Sequence, residues 1–196
     1  MAVGNHLMLP SIAAALSGYP PLLEHILDGK HYGPMLRSPE VAQHRTKWRA
    51  LFKSLIACPP RDLAIAERFH TQWHVSHHFI RELVDDDELL LDMLWVWLPR
   101  FEGPGMILYR GENIDRLEAG RIGSAWSDKE ETARMFASGW NAEGRGGVIL
   151  RTNAPVESII AGPSAHSANW LGESEFTVDW RKLVEVERVR NYAPRS

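Results

Sequence analysis

The chain has 196 residues, a net charge of −3 and a pI near 6.3, with 44% apolar and 24% charged residues. That composition supplies enough apolar surface for one core, or a core and an appendage, and excludes disorder over most of the length. No run of Lys and Arg stands out, which argues against nucleic-acid binding by phosphate neutralisation; the single cysteine, Cys58, excludes an intrachain disulfide and a cysteine-based zinc site.

Residues 1–37 are rich in Gly and Pro. Their longest apolar stretch, Ile12 to Leu16, is too short for a signal-peptide core, and no run in the chain approaches a membrane span. The chain is therefore expected to be cytoplasmic where it is made, with no membrane partner and with delivery into another cell left open. From Ser38 to Leu98 the apolar residues recur at three- and four-residue steps. Ser38-Pro39-Glu40 reads as an N-cap followed by proline in the first turn of a helix whose apolar face is Trp48, Leu51, Phe52, Leu55 and Ile56. Pro59-Pro60 ends it. A second helix is expected from Arg61-Asp62 through Phe69 and Trp73, and a third opens at Asp85-Asp86-Asp87-Glu88 and closes at Pro99.

After Gly103-Pro104-Gly105 the texture changes to short β-favouring runs, Met106 to Arg110, Gly147 to Arg151, Val156 to Ile160, Glu173 to Val178 and Leu183 to Val189. Asp128 to Ser138 is expected to be a helix with Ala133, Phe136 and Ala137 on its inner face. The chain thus reads as α+β, with a helical segment over residues 1–100 and a β-rich domain over residues 101–196.

Three features of the β-rich half carry chemistry. In Leu108-Tyr109-Arg110-Gly111 an arginine ends an apolar strand, where its guanidinium can make two parallel hydrogen bonds to a phosphate; the following glycine lets backbone approach a ligand. In Gly123-Ser124-Ala125-Trp126-Ser127-Asp128 a strand ends in hydroxyl residues just before a helix. Asp128 can cap that helix while Ser127 points inward. In Gly172-Glu173-Ser174-Glu175-Phe176-Thr177-Val178 strand alternation would put Glu173 and Glu175 on one face, with Phe176 and Val178 toward the core. Each feature has a plain structural reading: a surface ion pair, a helix cap, a solubilising edge pair.

In this order the three features resemble the mono-ADP-ribosyltransferase family of the arginine-serine-glutamate class, over residues 106 to 190. The resemblance implies a β-sandwich catalytic core and transfer of ADP-ribose from NAD, a substrate rather than a resident cofactor, to a protein acceptor with an exposed arginine, releasing nicotinamide. It implies that Arg110 contacts the phosphates and adjacent ribose of NAD and that Glu175 is the catalytic glutamate. Glu173 selects and activates the arginine acceptor, and a serine, Ser127 or else Ser124, supports Glu175 and the bound nicotinamide riboside. Tyr109, Gly111 and Trp126 are the remaining candidate NAD contacts, with core packing the competing role for the two aromatic rings. The family's Ser-Thr-Ser is Trp126-Ser127-Asp128 here, so only its leading hydroxyl is retained. Similar Tyr-Arg-Gly, Trp-hydroxyl-Asp and Phe-Ala patterns occur in proteins of bacteria and their phages, which implies a microbial, effector-like or toxin-like protein. Hydrolysis of NAD and a binding-only module of the same fold are the competing functions.

The Gly162 to Leu171 segment reads as a loop, and by the same resemblance it recognises the target, with Trp170 a candidate contact. His70, His74, His77 and His78 fall at helical spacing, yet no glutamate sits between them as in a zinc hydrolase, so no metal is expected. Trp73, Trp95 and Trp97 read as helix-packing residues, and Gly144-Arg145-Gly146-Gly147 as a turn.

Overall fold

The computed structural model describes residue 36 and residues 45–195, so the cap expected at Ser38 lies outside the described residues. Two units meet in the chain between Pro99 and Arg100.

In the first unit, α1 (Arg45–Ala57), α2 (Leu63–Val84) and α3 (Asp87–Trp97) form where the apolar periodicity and the breakers place them. Asp62 and Asp86 cap α2 and α3, their side chains accepting from the amides of Ile65 and Leu89 at 2.9 and 3.0 Å. Asp85 ends α2 in the left-handed region at φ 48°. Arg49 of α1 donates to the carbonyls of Val84 and Asp85 and so satisfies the end of α2. Phe52, Leu55, Phe69 and Trp97 are fully buried or nearly so. Burying each aliphatic or phenylalanine side chain contributes about 1.5–3 kcal/mol. Trp97 adds an indole N–H bond to the Leu55 carbonyl at 2.9 Å, and its ring lies 5.1 Å from that of Phe69. Phe69, Trp73 and Trp97 thus pack within these helices.

The second unit is a six-stranded antiparallel sheet with helices. Its strands are β1 (Met106–Asn113), β2 (Ala125–Ser127), β3 (Gly147–Ala154), β4 (Ile159–Ala161), β5 (Glu175–Val178) and β6 (Glu187–Tyr192), in the order β4-β5-β2-β1-β3-β6. Short helices α4 (Ile114–Glu118) and α5 (Glu130–Ser138) follow β1 and β2. The mixed helix and sheet content agrees with the α+β expectation. Strand pairing joins all six strands into one sheet, where the resemblance implied a sandwich.

One face of the sheet carries the main core, Leu108, Trp126, Leu150, Phe176 and Val178 among others. The opposite face receives α5, whose Ala133 and Ala137 pack on Ile149 with Tyr109 and Tyr192 at the margin. That approach explains Gly111 and Gly147: a Cβ on either would strike the backbone of α5 at Ala133 or Ala137.

Several boundaries differ from expectation. β1 and β3 run three residues further, because each continues as the other's partner from Met106↔Ala154 to Asn113↔Gly147. Val156–Ser158 is a 3-10 turn ahead of β4, and the last strand begins at Glu187 rather than Leu183. The helix after β2 begins at Glu130 with no side chain capping it, so Asp128 is not its cap; the Ser127 hydroxyl accepts from the Lys129 amide instead.

Candidate active site

Strand alternation on β1 sends Tyr109 and Gly111 toward α5 and Leu108, Arg110 and Glu112 toward the main core. Arg110 and Glu112 therefore meet on one face. Arg110 Nε donates to Glu112 Oε2 at 2.8 Å, and its Nη1 donates to the Ala125 carbonyl at 2.5 Å. Glu112 is fully buried and accepts three further contacts: the Gly123 amide at 3.0 Å, the Asn113 amide at 2.9 Å and the Arg116 guanidinium at 3.2 Å. Burial alone would push the Glu112 carboxyl up, but Arg110, Arg116 and the two amides outweigh it and hold its pKa below the ordinary value. Arg110 is thus clamped by its own strand and by the start of β2.

Next to it runs a single rung across three strands, because Tyr109 pairs with Ser127 and Ser127 with Glu175. Side chains of paired residues share a face, so Tyr109, Ser127 and Glu175 project together. Glu175 opens β5. Its position is fixed on both sides: its amide donates to the buried Ser167 hydroxyl at 3.0 Å, and the Ser127 hydroxyl donates to the Glu173 carbonyl at 2.6 Å. Ser167 belongs to a short π-helical turn, Ser167–Leu171, and its own amide donates to Ser164 Oγ at 3.2 Å. Lys129 Nζ adds a bond to the Gly172 carbonyl at 2.8 Å.

Glu173 does not lie on the strand, as alternation had led us to expect. Gly172 at φ 67° and Ser174 at φ 50° both take the left-handed region, and the chain turns twice around Glu173 before β5 begins. A serine at positive φ is uncommon and strained, and such strain gathers where a site over-determines its backbone. Proximity of the two carboxyls survives by another route: Glu173 raises the pKa of Glu175 through its charge. Burial is the larger cause there and pushes Glu175 up to about 8, with Arg110 pulling the other way. Glu173, half-buried, is also raised by burial, against the opposing charge of His166.

The expected residues thus separate into three groups. Ser127, Glu173 and Glu175 come together around the start of β5, with Tyr109 on the same rung, whereas Arg110 projects from the other face of β1 and bears on Glu175 through its charge. Ser124 contributes its carbonyl, which accepts from the Val178 amide at 2.8 Å, so Ser127 rather than Ser124 is the serine that holds the glutamate loop. Gly111 and Trp126 serve packing: Gly111 admits α5, and Trp126 is buried in the main core with its indole N–H on the Gly123 carbonyl at 3.1 Å. For Trp126 this is the core-packing role that competed with an NAD contact. The Trp170 side chain lies outside the described residues.

Two residues of the site escaped the sequence reading, Glu112 and Ser167. Glu112 sits two positions after Arg110 on the same strand, and that spacing was the available signal; Ser167 had none beyond its place in the loop. In the helical unit the rings of His70 and His74 lie with centroids 4.5 Å apart and tilted by 41°, both buried, and burial lowers the His70 pKa to about 4. Among the described residues no three His, Cys, Asp or Glu gather as a metal site, and no helix is long and apolar enough to cross a membrane. Comparison with known proteins finds no matching family model, no matching curated protein and no matching solved structure.

Proposed function

We propose that the chain transfers ADP-ribose from NAD to an arginine on another protein. The observation that carries this reading is a buried carboxyl at the start of β5, Glu175, set beside a second carboxyl and an arginine whose charge reaches it. In NAD the bond between nicotinamide and ribose breaks with its electron pair leaving on the nicotinamide nitrogen, which becomes neutral as positive charge develops on the sugar carbon. A carboxylate beside that carbon stabilises the oxocarbenium-like state, and a low-dielectric setting strengthens the effect. Glu175 has that setting. Its raised pKa is lowered again by a cation, and the nicotinamide ring is one, so substrate binding itself favours the ionised form.

An arginine nitrogen then attacks the sugar carbon and loses a proton, for which Glu173, with its raised pKa, is the acceptor. Water in place of arginine yields free ADP-ribose. One observation favours that hydrolytic reading: Glu173 stands off the strand that carries Glu175. Incubation of the purified chain with NAD labelled in its adenylate half, with and without a cell lysate, separates the cases. Label on protein supports transfer, nicotinamide release without labelled protein supports hydrolysis, and neither product leaves a binding module and overturns both enzymatic readings.

A further inference from the structure

The rung that carries Glu175 continues across the sheet in the other direction. Tyr109 pairs with Arg151 of β3, and Arg151 pairs with Glu187 of β6. Glu187, Arg151, Tyr109, Ser127 and Glu175 therefore project in a row from one face. Three strand spacings separate the backbones of Arg151 and Glu175, roughly 14 Å. Beyond the residues on which α5 packs, this face is open: Ile107 is 44% exposed, Arg151 and Asn153 are exposed and Tyr109 is half-buried. Thr152 and Ala154, on the other face of β3, are buried, so the exposure belongs to this face and not to the strand as a whole. Glu175 closes the row at its buried end.

Given Glu175 as the working carboxyl of the proposed function, on which this assignment depends, we propose that Arg151 binds the pyrophosphate of NAD while the nicotinamide riboside lies against Glu175. In NAD the sugar that bears nicotinamide carries the pyrophosphate on its fifth carbon, so an anion follows the reacting bond one sugar ring away. Arg110, to which the resemblance gave that anion, projects from the other face and donates to Glu112 and to the Ala125 carbonyl. Arg151 is the cation of the row itself. A guanidinium can make two parallel hydrogen bonds to a phosphate, and an arginine laid along the rung over Tyr109 brings them toward Glu175. Its partner in the structure holds it weakly: Nη1 lies 3.4 Å from Glu187 Oε2, with the two side chains 44% and 59% exposed. An exposed pair of that kind contributes little, so a phosphate can displace Glu187.

Two uncleavable probes test it by NMR titration of the full chain: NAD with a carbocyclic nicotinamide sugar, and the matching nucleoside, which lacks the phosphates. The unaltered protein is expected to bind the dinucleotide more tightly than the nucleoside. Arg151→Gln is expected to weaken the dinucleotide about tenfold or more and to leave the nucleoside within about twofold. Glu187→Gln breaks the ion pair but keeps the cation, and should bind the dinucleotide at least as tightly as the unaltered chain. An arginine that only secures β6 to β3 would instead make both substitutions weaken binding alike. Dinucleotide affinity unmoved by Arg151→Gln, or an equal loss for both probes, overturns the proposal. So does an equal loss in Glu187→Gln, or an unaltered protein that binds neither probe. Should Arg151→Gln fail to fold, Glu187→Gln decides: undiminished dinucleotide binding supports the proposal and weaker binding overturns it. Failure of the proposed enzymatic function appears separately, as absent nicotinamide release from NAD while the dinucleotide probe still binds through Arg151.

Discussion

Replacing Glu175 by glutamine is expected to stabilise the fold while abolishing turnover, and the size of the gain follows from the site's burial. The folded protein holds the Glu175 proton to about pH 8, whereas an ordinary glutamate, as in the unfolded chain, releases it at 4.5. A carboxyl whose folded pKa is raised contributes stability that is complete below the unfolded value and is lost as pH rises through the folded one. At pH 7 the loss spans the interval from 4.5 to 7, about 3 kcal/mol at 1.36 kcal/mol per pH unit. Glutamine fills the same space and carries no such term. Glu175→Gln is therefore expected to be more stable than the unaltered chain by up to about 3 kcal/mol at pH 7 and by less than about 1 kcal/mol at pH 5. For a chain of this length that corresponds to a rise in Tm of roughly 6–12 °C at pH 7. Calorimetric melting of both proteins at pH 5, 7 and 8 measures it. A variant no more stable than its parent at pH 7, or a gain that does not grow between pH 5 and 8, would refute the claim that burial holds Glu175 in its acid form. Active sites that hold groups in costly states show this trade between stability and activity.

Four further outcomes are expected. In the pH profile of nicotinamide release, kcat/KM should rise with pH toward about 8 as Glu175 of the free enzyme ionises, while kcat levels off at lower pH because the bound nicotinamide cation favours the carboxylate. Ser127→Ala removes the bond to the Glu173 carbonyl and should reduce labelling of arginine more than hydrolysis of NAD, read by counting label on protein against free nicotinamide. Gly111→Ala drives a Cβ into the backbone of α5 and should cost about 1–3 kcal/mol or more in urea unfolding, with no gain in any ligand affinity. His70 gives the helical unit the opposite pH trend: its folded pKa is depressed to about 4 from 6.5, so the stability present above 6.5 is lost as pH falls toward 4, about 3 kcal/mol in full. His70→Gln should flatten that acid limb in circular dichroism of the helical signal.

The helices were legible because their signals are local. Asp62, Asp86 and the Pro59-Pro60 break act within four residues of the helix they start or stop, and the buried positions of α1 follow at three- and four-residue steps. The core strands were legible for the same reason, with Phe176 and Val178 buried as alternation requires. What failed was register next to an irregular backbone. Glu173 looked like a strand residue because Glu-x-Glu has a two-residue period, but Gly172 and Ser174 at positive φ end that period before Glu173 is reached. Contacts made by the fold itself were hidden in a similar way. Glu112 gathers donors from residues 110, 113, 116 and 123, and only the turn of β1 into α4 and back to β2 brings them to one carboxylate. Gly111 was read as an opening for ligand because its partner, α5, lies more than twenty residues away in sequence. Of the two roles open to Trp126, ring contact or core packing, pairing with Phe176 gives it the second.

The most direct test of the account is nicotinamide release from NAD by the purified chain at pH 8, with and without a small guanidine acceptor, set beside Glu175→Gln. The account predicts release by the unaltered protein, with ADP-ribose appearing on the guanidine, and a loss of at least about a hundredfold in the variant, as expected for removing a group that stabilises transition-state charge. Equal release by both proteins would contradict it, because Glu175 would then have no part in breaking the nicotinamide bond.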